Sequence, residues 1–193
     1  MKRVAVLLGV LLIASGRAWP AETPKVIAKV TPLPMALSKD FQFRKTKLFL
    51  LTEKDTLQHS HSPSEKPGKT TGVAPSSRST TVQDASISYE RTYRLFGAVT
   101  ALDRRQLFGH YFDFFWRARR SGDVTVRLEY RQEKLHAYVQ AQEVSYPSAR
   151  GSHKTEFRVV GDDYFDDGRV IAWRCLLIEN GAIVAENRSY LWE

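Results

Sequence analysis

Among its 193 residues the chain holds a single cysteine, Cys175. No internal disulfide can therefore staple it, and whatever folds must be held by its own core. The longest apolar run, Val4 to Ala14, covers 11 residues, well short of the roughly 20 that a bilayer-spanning helix needs. No G-x-S-x-G elbow, no H-E-x-x-H and no Gly-rich phosphate loop is present, so the signatures of the common serine hydrolases, zinc peptidases and nucleotide-binding enzymes are missing. Cys175 lies in phase with Ile171, Trp173 and Leu177. That placement predicts a buried, inert thiol on a core face rather than a nucleophile.

What is present begins with an address. Met1-Lys2-Arg3 precedes the Val4 to Ala14 stretch, and small residues at Gly16 and Ala18 suit cleavage after Ala18; this is the layout of a signal peptide over 1–18, and it predicts an exported bacterial protein, periplasmic or at the cell surface. No cysteine follows the apolar stretch to carry a lipid anchor, and no transmembrane segment is expected after cleavage. The whole chain has a formal charge of +8; loss of Lys2, Arg3 and Arg17 leaves 26 basic and 21 acidic side chains, or +5. An excess of that size suits solubility and contact with anionic envelope polymers such as polysaccharide. The exported address argues against nucleic acid. Oligomeric state is not legible.

Residues 19–37, with Pro24, Pro32 and Pro34, are expected to be an extended leader, because proline breaks helices and removes ladder donors. Residues 38–51, with Phe41 and Phe43 alternating and then Leu48-Phe49-Leu50-Leu51, are expected to add one strand, with a short helix over 45–51 as the other reading. The Ser-, Pro- and Lys-rich stretch 52–84 has almost nothing to bury and is expected to be a flexible polar linker or loop.

From residue 85 to 193 the alternation strengthens. Strand starts are expected at Ala85, Gln106, Val124, Leu135, Thr155, Val170 and Ala182, with turns at Leu102 to Arg105, Arg120 to Asp123 and Pro147 to Ser152. Asn180-Gly181 is a strong hairpin signal, since a type I′ turn wants positive φ at both central residues. Short strands at near-regular spacing predict an all-β fold, an antiparallel β-sandwich of about seven to eight strands, with a barrel as the alternative. In outline this resembles an immunoglobulin-like or fibronectin-type domain, without the cysteine pair and intervening tryptophan of antibody domains. The resemblance implies no particular chemistry, because such sandwiches host many functions.

Two constellations are candidates for contact. Gly161 to Gly168 gathers Asp162, Asp163, Asp166 and Asp167, a set that hard cations such as Ca²⁺ favour, although no EF-hand register fits it. Ca²⁺ held there would raise the melting temperature at millimolar concentration, and an unchanged melting curve removes that reading; a polar hairpin loop is the plainer expectation. Tyr111, Phe115, Arg117 and Arg119 share one face of a strand, where rings beside guanidinium groups suit stacking on sugars or gripping a protein. A second layer covering those rings is the structural alternative. His59 and His61 are too few to hold a metal firmly, and His110, His136 and His153 have no nucleophile paired with them in sequence. Asp113, Glu129, Glu143 and Glu156 are the carboxylates available to a glycosidase-type pair. Together these features predict a non-catalytic binding or structural module of the bacterial cell envelope. The alternatives are an envelope hydrolase acting on polysaccharide or ester bonds, and a subunit of a larger envelope assembly.

Overall fold

The computed structural model describes residues 23–27, 30–53 and 82–192. The expected signal peptide at 1–18, the His59 and His61 pair, and residues 54–81 of the polar stretch lie outside the described residues. The fold is mostly antiparallel β, with short helices. Its strands are β1 (Lys25–Ile27), β2 (Phe41–Leu51), β3 (Gly109–Gln132), β4 (Gln140–Val160), β5 (Val170–Glu179) and β6 (Ala182–Arg188). The helices are α1 (Val82–Leu95), α2 (Ala101–Leu107) and α3 (Asp162–Asp167). None of the described helices is long and apolar enough to cross a membrane.

All six strands belong to one sheet of order β1-β4-β3-β5-β6, with β2 also paired to β3. Two expected chain reversals are bends instead. The residues Arg120 to Asp123 and Pro147 to Ser152 lie within β3 and β4, which run 24 and 21 residues as one long hairpin. The ladder slips between Ala118, Gly122 and Val124 on β3, opposite Ala149 and Gly151 on β4. Extra residues in a ladder bend both strands without parting them, so turn-type residues here mark bulges. The strands expected to start at Val124 and Thr155 are continuations of β3 and β4, and the one expected from Leu135 begins at Gln140.

The bend divides β3 between partners. Its first half pairs with β2 (Phe41↔Ala118 to Leu51↔Gly109) and its second half with β5 (Thr125↔Ile178 to Gln132↔Val170). The sheet turns back on itself: Phe112 and Phe114 of the first half meet Trp173 of β5 with ring centroids 6.2 and 5.4 Å apart. The core fills the inside of that bend with Phe41, Phe112, Phe114, Trp116, Val126, Leu128, Phe157, Cys175 and Leu177. Gly109 opens β3 because a Cβ there would lie 2.2 Å from the Val159 carbonyl oxygen. Asn180 and Gly181 join β5 to β6 with φ of 50° and 76°, the positive pair that a type I′ turn demands.

The strand expected from Ala85 is a helix, α1. Its sequence, VQDASISYERTYRL, contains neither proline nor glycine. Glu90 and Arg94 form an i,i+4 ion pair at 3.5 Å, and Tyr89 and Tyr93 stack with centroids 6.4 Å apart; both pairs are neighbours only at helical spacing. The expected turn at Leu102 to Arg105 is likewise helical. Thr100 caps α2, accepting from the Asp103 amide at 3.1 Å while the Asp103 carboxylate accepts from the Thr100 amide at 2.8 Å, a reciprocal capping box.

The leader is a strap. β1 pairs with β4 at Ala141 to Glu143, and Met35 bridges Ile183 of β6 in parallel, with the Ile183 amide donating to the Pro34 carbonyl and the Ala36 amide to the Ile183 carbonyl. Beside the second anchor Leu33 packs on Leu176, Ile178 and Ile183.

Candidate functional site

Alternation along β3 sends Phe112, Phe114, Trp116 and Ala118 into the core and Tyr111, Asp113, Phe115, Arg117 and Arg119 to the outer face. On that face β2 places Gln42 opposite Arg117, Lys45 opposite Phe115, Lys47 opposite Asp113 and Phe49 opposite Tyr111. From the other side β4 places Ser152 opposite Arg117, Lys154 opposite Phe115, Glu156 opposite Asp113 and Arg158 opposite Tyr111. Three columns of side chains thus form one surface with two distinct ends.

The end at Tyr111 is covered. Arg94 of α1, its side chain only 8 % exposed, lies 4.0 Å from the Tyr111 ring centre and 5.5 Å from that of Phe49. Its guanidinium reaches Asp113 at 3.9 Å and Glu156 at 3.8 Å. Tyr111 is 3 % exposed and donates its hydroxyl to the Leu107 carbonyl of α2 at 2.6 Å. Burial raises its phenol pKa, partly offset by Arg94 and Arg158. Tyr111 is therefore no contact residue, which corrects the expectation that it belongs to an open aromatic face. The covering layer at this end is α1 with α2.

The other end is open. Phe115 is half-buried, with the Lys154 ammonium 6.0 Å from its ring centre, and Arg117 and Arg119 are exposed. Exposed Arg44, Lys45 and Lys47 flank them on β2, and exposed Arg150 lies on β4 between the partners of Ala118 and Gly122. Among the described residues none of these six cations forms an ion pair. Elsewhere guanidinium groups are spent on carboxylates: Arg120 on Glu179 and Asp40, Arg127 on Glu143, Arg158 on Glu156, Arg174 on Glu129. Of the residues that sequence reasoning placed on a contact face, Phe115, Arg117 and Arg119 lie at this open end. Lys45 and Lys47, which strand register sets opposite Phe115 and Asp113, and Arg44 and Arg150, which lie at the ladder irregularities, were not singled out by it.

The four candidate acids are all engaged. Asp113 meets Lys154 at 3.1 Å, Glu156 meets Arg158 at 2.6 Å, Glu129 is 1 % exposed against Arg174 at 2.7 Å, and Glu143 pairs with Arg127. Burial raises the Glu156 pKa, but the Arg158 hydrogen bond and the charges of Arg158, Lys154 and Arg94 outweigh it and hold it below the usual value.

The acidic loop is helical rather than a hairpin. Asp162, Asp163 and Asp166 are exposed; Asp162 faces Arg105 at 3.8 Å, and Asp167 accepts from Gln140 at 3.2 Å. Its rings turn inward, Phe165 to Phe108 at 6.5 Å and Tyr164 to His110 at 5.9 Å. Among the described residues no group of three or more His, Cys, Asp or Glu is gathered to hold a metal. His153 stacks on Trp116 at 4.5 Å, His136 is exposed, and Cys175 is fully buried, which pushes its thiol pKa well up. No protein-family model, no curated protein and no solved structure matches the chain, which leaves its own side chains as the ground for a function.

Proposed function

We propose that this chain is an exported, non-catalytic binding module of the bacterial cell envelope that holds an anionic polysaccharide along the open end of its outer sheet face. In this reading the bent sheet serves as an immunoglobulin- or fibronectin-like sandwich scaffold. The observation that carries it is the set of six cations on β2, β3 and β4 that have no carboxylate partner among the described residues, at the end of the face that holds the half-buried Phe115. Unpaired cations on a rigid ladder attract a polyanion without first breaking internal ion pairs, and an exposed ring edge beside them suits stacking on a sugar face. A hydrolase is less well supported, because Asp113, Glu129, Glu143 and Glu156 are each held in an ion pair, and Glu156 is held below its usual pKa where a general acid needs a raised one.

The test is retention on polygalacturonate beads against neutral dextran beads at low and moderate salt. The Arg117→Ala/Arg119→Ala double variant is expected to bind polygalacturonate about tenfold more weakly, a loss of about 1.4 kcal/mol. A control removing two unpaired cations elsewhere, Lys25→Ala/Arg188→Ala, should stay within about twofold of the unmodified chain. Equal losses in the two doubles would mean that net charge alone governs binding.

A further inference from the structure

Because β2 and β5 pair with different halves of β3, they leave a gap on the open side of the bend, a cleft of about 450 Å³. That is within the size range of small-molecule sites. Phe112 and Trp173 form its floor, and Leu48, Leu50 and Ile171 stand at its mouth, 53, 40 and 39 % exposed. Single exposed aliphatic residues are ordinary; three converging on one concavity above two aromatic rings are a pocket. Its polar equipment is sparse. The Ser189 hydroxyl oxygen accepts from the Trp173 amide at 3.0 Å.

His110 is the exception. Its ring stacks on Phe112 at 5.9 Å, and its Nε2 lies 3.2 Å from the Val170 amide, which donates to it. An accepting Nε2 assigns the proton of the neutral ring to Nδ1. Nδ1 has no hydrogen-bond partner among the described residues. The ring stays neutral through the physiological range, since burial, with Arg169 adding to it, holds its pKa down to about 4. We propose that the cleft binds a small aromatic or acyl carbonyl compound, its apolar body on Phe112, Trp173, Leu48 and Leu50 and its carbonyl oxygen accepting the proton of His110 Nδ1. This site lies inside the bend and is independent of the basic outer face.

The probes are 2-acetylnaphthalene and 2-ethylnaphthalene, matched in size and differing in the carbonyl, titrated against the full chain by tryptophan fluorescence, with Trp173→Phe assigning the signal. Both are expected to bind. In His110→Phe, which keeps a ring and removes the donor, the acetyl compound should lose about fivefold relative to the ethyl one, as for one net hydrogen bond. Leu50→Asp, a substitution at an exposed position, should abolish binding of both. The proposal is overturned if neither probe binds, if the affinity ratio is the same in His110→Phe, or if the unmodified chain is a dimer that Leu50→Asp converts to a monomer, since a second copy would then fill the cleft.

Discussion

Replacing Phe114 with alanine is expected to lower stability by about 3–5 kcal/mol, or roughly 10–20 °C in melting temperature for a domain of this size. The ring is fully buried at the inside of the bend. It meets Phe43 of β2 at 6.0 Å, Phe112 of the same strand at 6.4 Å, Phe157 of β4 at 6.2 Å and Trp173 of β5 at 5.4 Å. Four elements lose contacts at once, and surroundings built of rigid rings collapse poorly into the space left behind. Thermal unfolding followed by circular dichroism checks the value. A shift of only a few degrees would contradict the face-to-face packing of the two halves of the sheet, because a ring at a solvated face costs little to remove.

The second large effect is a loss of stability in mild acid that belongs to His110. Its pKa is near 6.5 in an unfolded chain and about 4 in the fold, so between these values the unfolded state binds more protons. Stability from this group is fully present above pH 6.5, falls as the pH drops, and is lost once the pH reaches about 4. The total is about 3 kcal/mol, at about 1.4 kcal/mol per pKa unit. Burial is the main cause, the positive charge of Arg169 adds to it, and the Val170 amide donating to Nε2 favours the neutral ring further. Carboxylates held low by partners, such as Glu156, contribute instead as the pH falls below the ordinary carboxylate range, so the two windows separate. Urea unfolding from pH 7.5 to 4.5 should show the slope in the unmodified chain and its loss in His110→Phe. An identical slope in both would assign the acid sensitivity elsewhere.

Both effects depend on which residues face each other across the bend, and that was legible only in part. The alternation through β2, β5 and β6 and the Asn180-Gly181 pair specify strands and a hairpin through local chemistry alone, because a period of two and a demand for positive φ need no distant partner. The Val82–Leu95 segment shows how far such patterning reaches. Ile87, Tyr89, Tyr93 and Leu95 satisfy a period of two, yet Glu90 with Arg94 and Tyr89 with Tyr93 satisfy a helix, and the choice falls to the helix that lays Arg94 over Tyr111. Gly122, Pro147 and Gly151 permit either a reversal or a bulge. The partner strand decides which, by keeping its ladder on both sides of the slip.

The contact surface divides in the same way. Phe115, Arg117 and Arg119 share a strand face by alternation, so their grouping follows from sequence order. Whether they meet solvent depends on α1 and α2, which cover Tyr111 and Asp113 and stop short of Phe115. The cations of β2 join them across about 70 residues of chain, and Arg150 of β4 across about 30. By itself the sequence determined the β-rich class, the alternation of faces and the hairpin at Asn180-Gly181, all of which are set by neighbours along the chain. Only the tertiary structure decided that β3 and β4 bend rather than turn, that one end of the outer face is roofed and the other bare, and that His110 looks across a cleft at Val170. Each of these rests on contacts between segments far apart in sequence, where local propensity is weak and packing and charge pairing prevail.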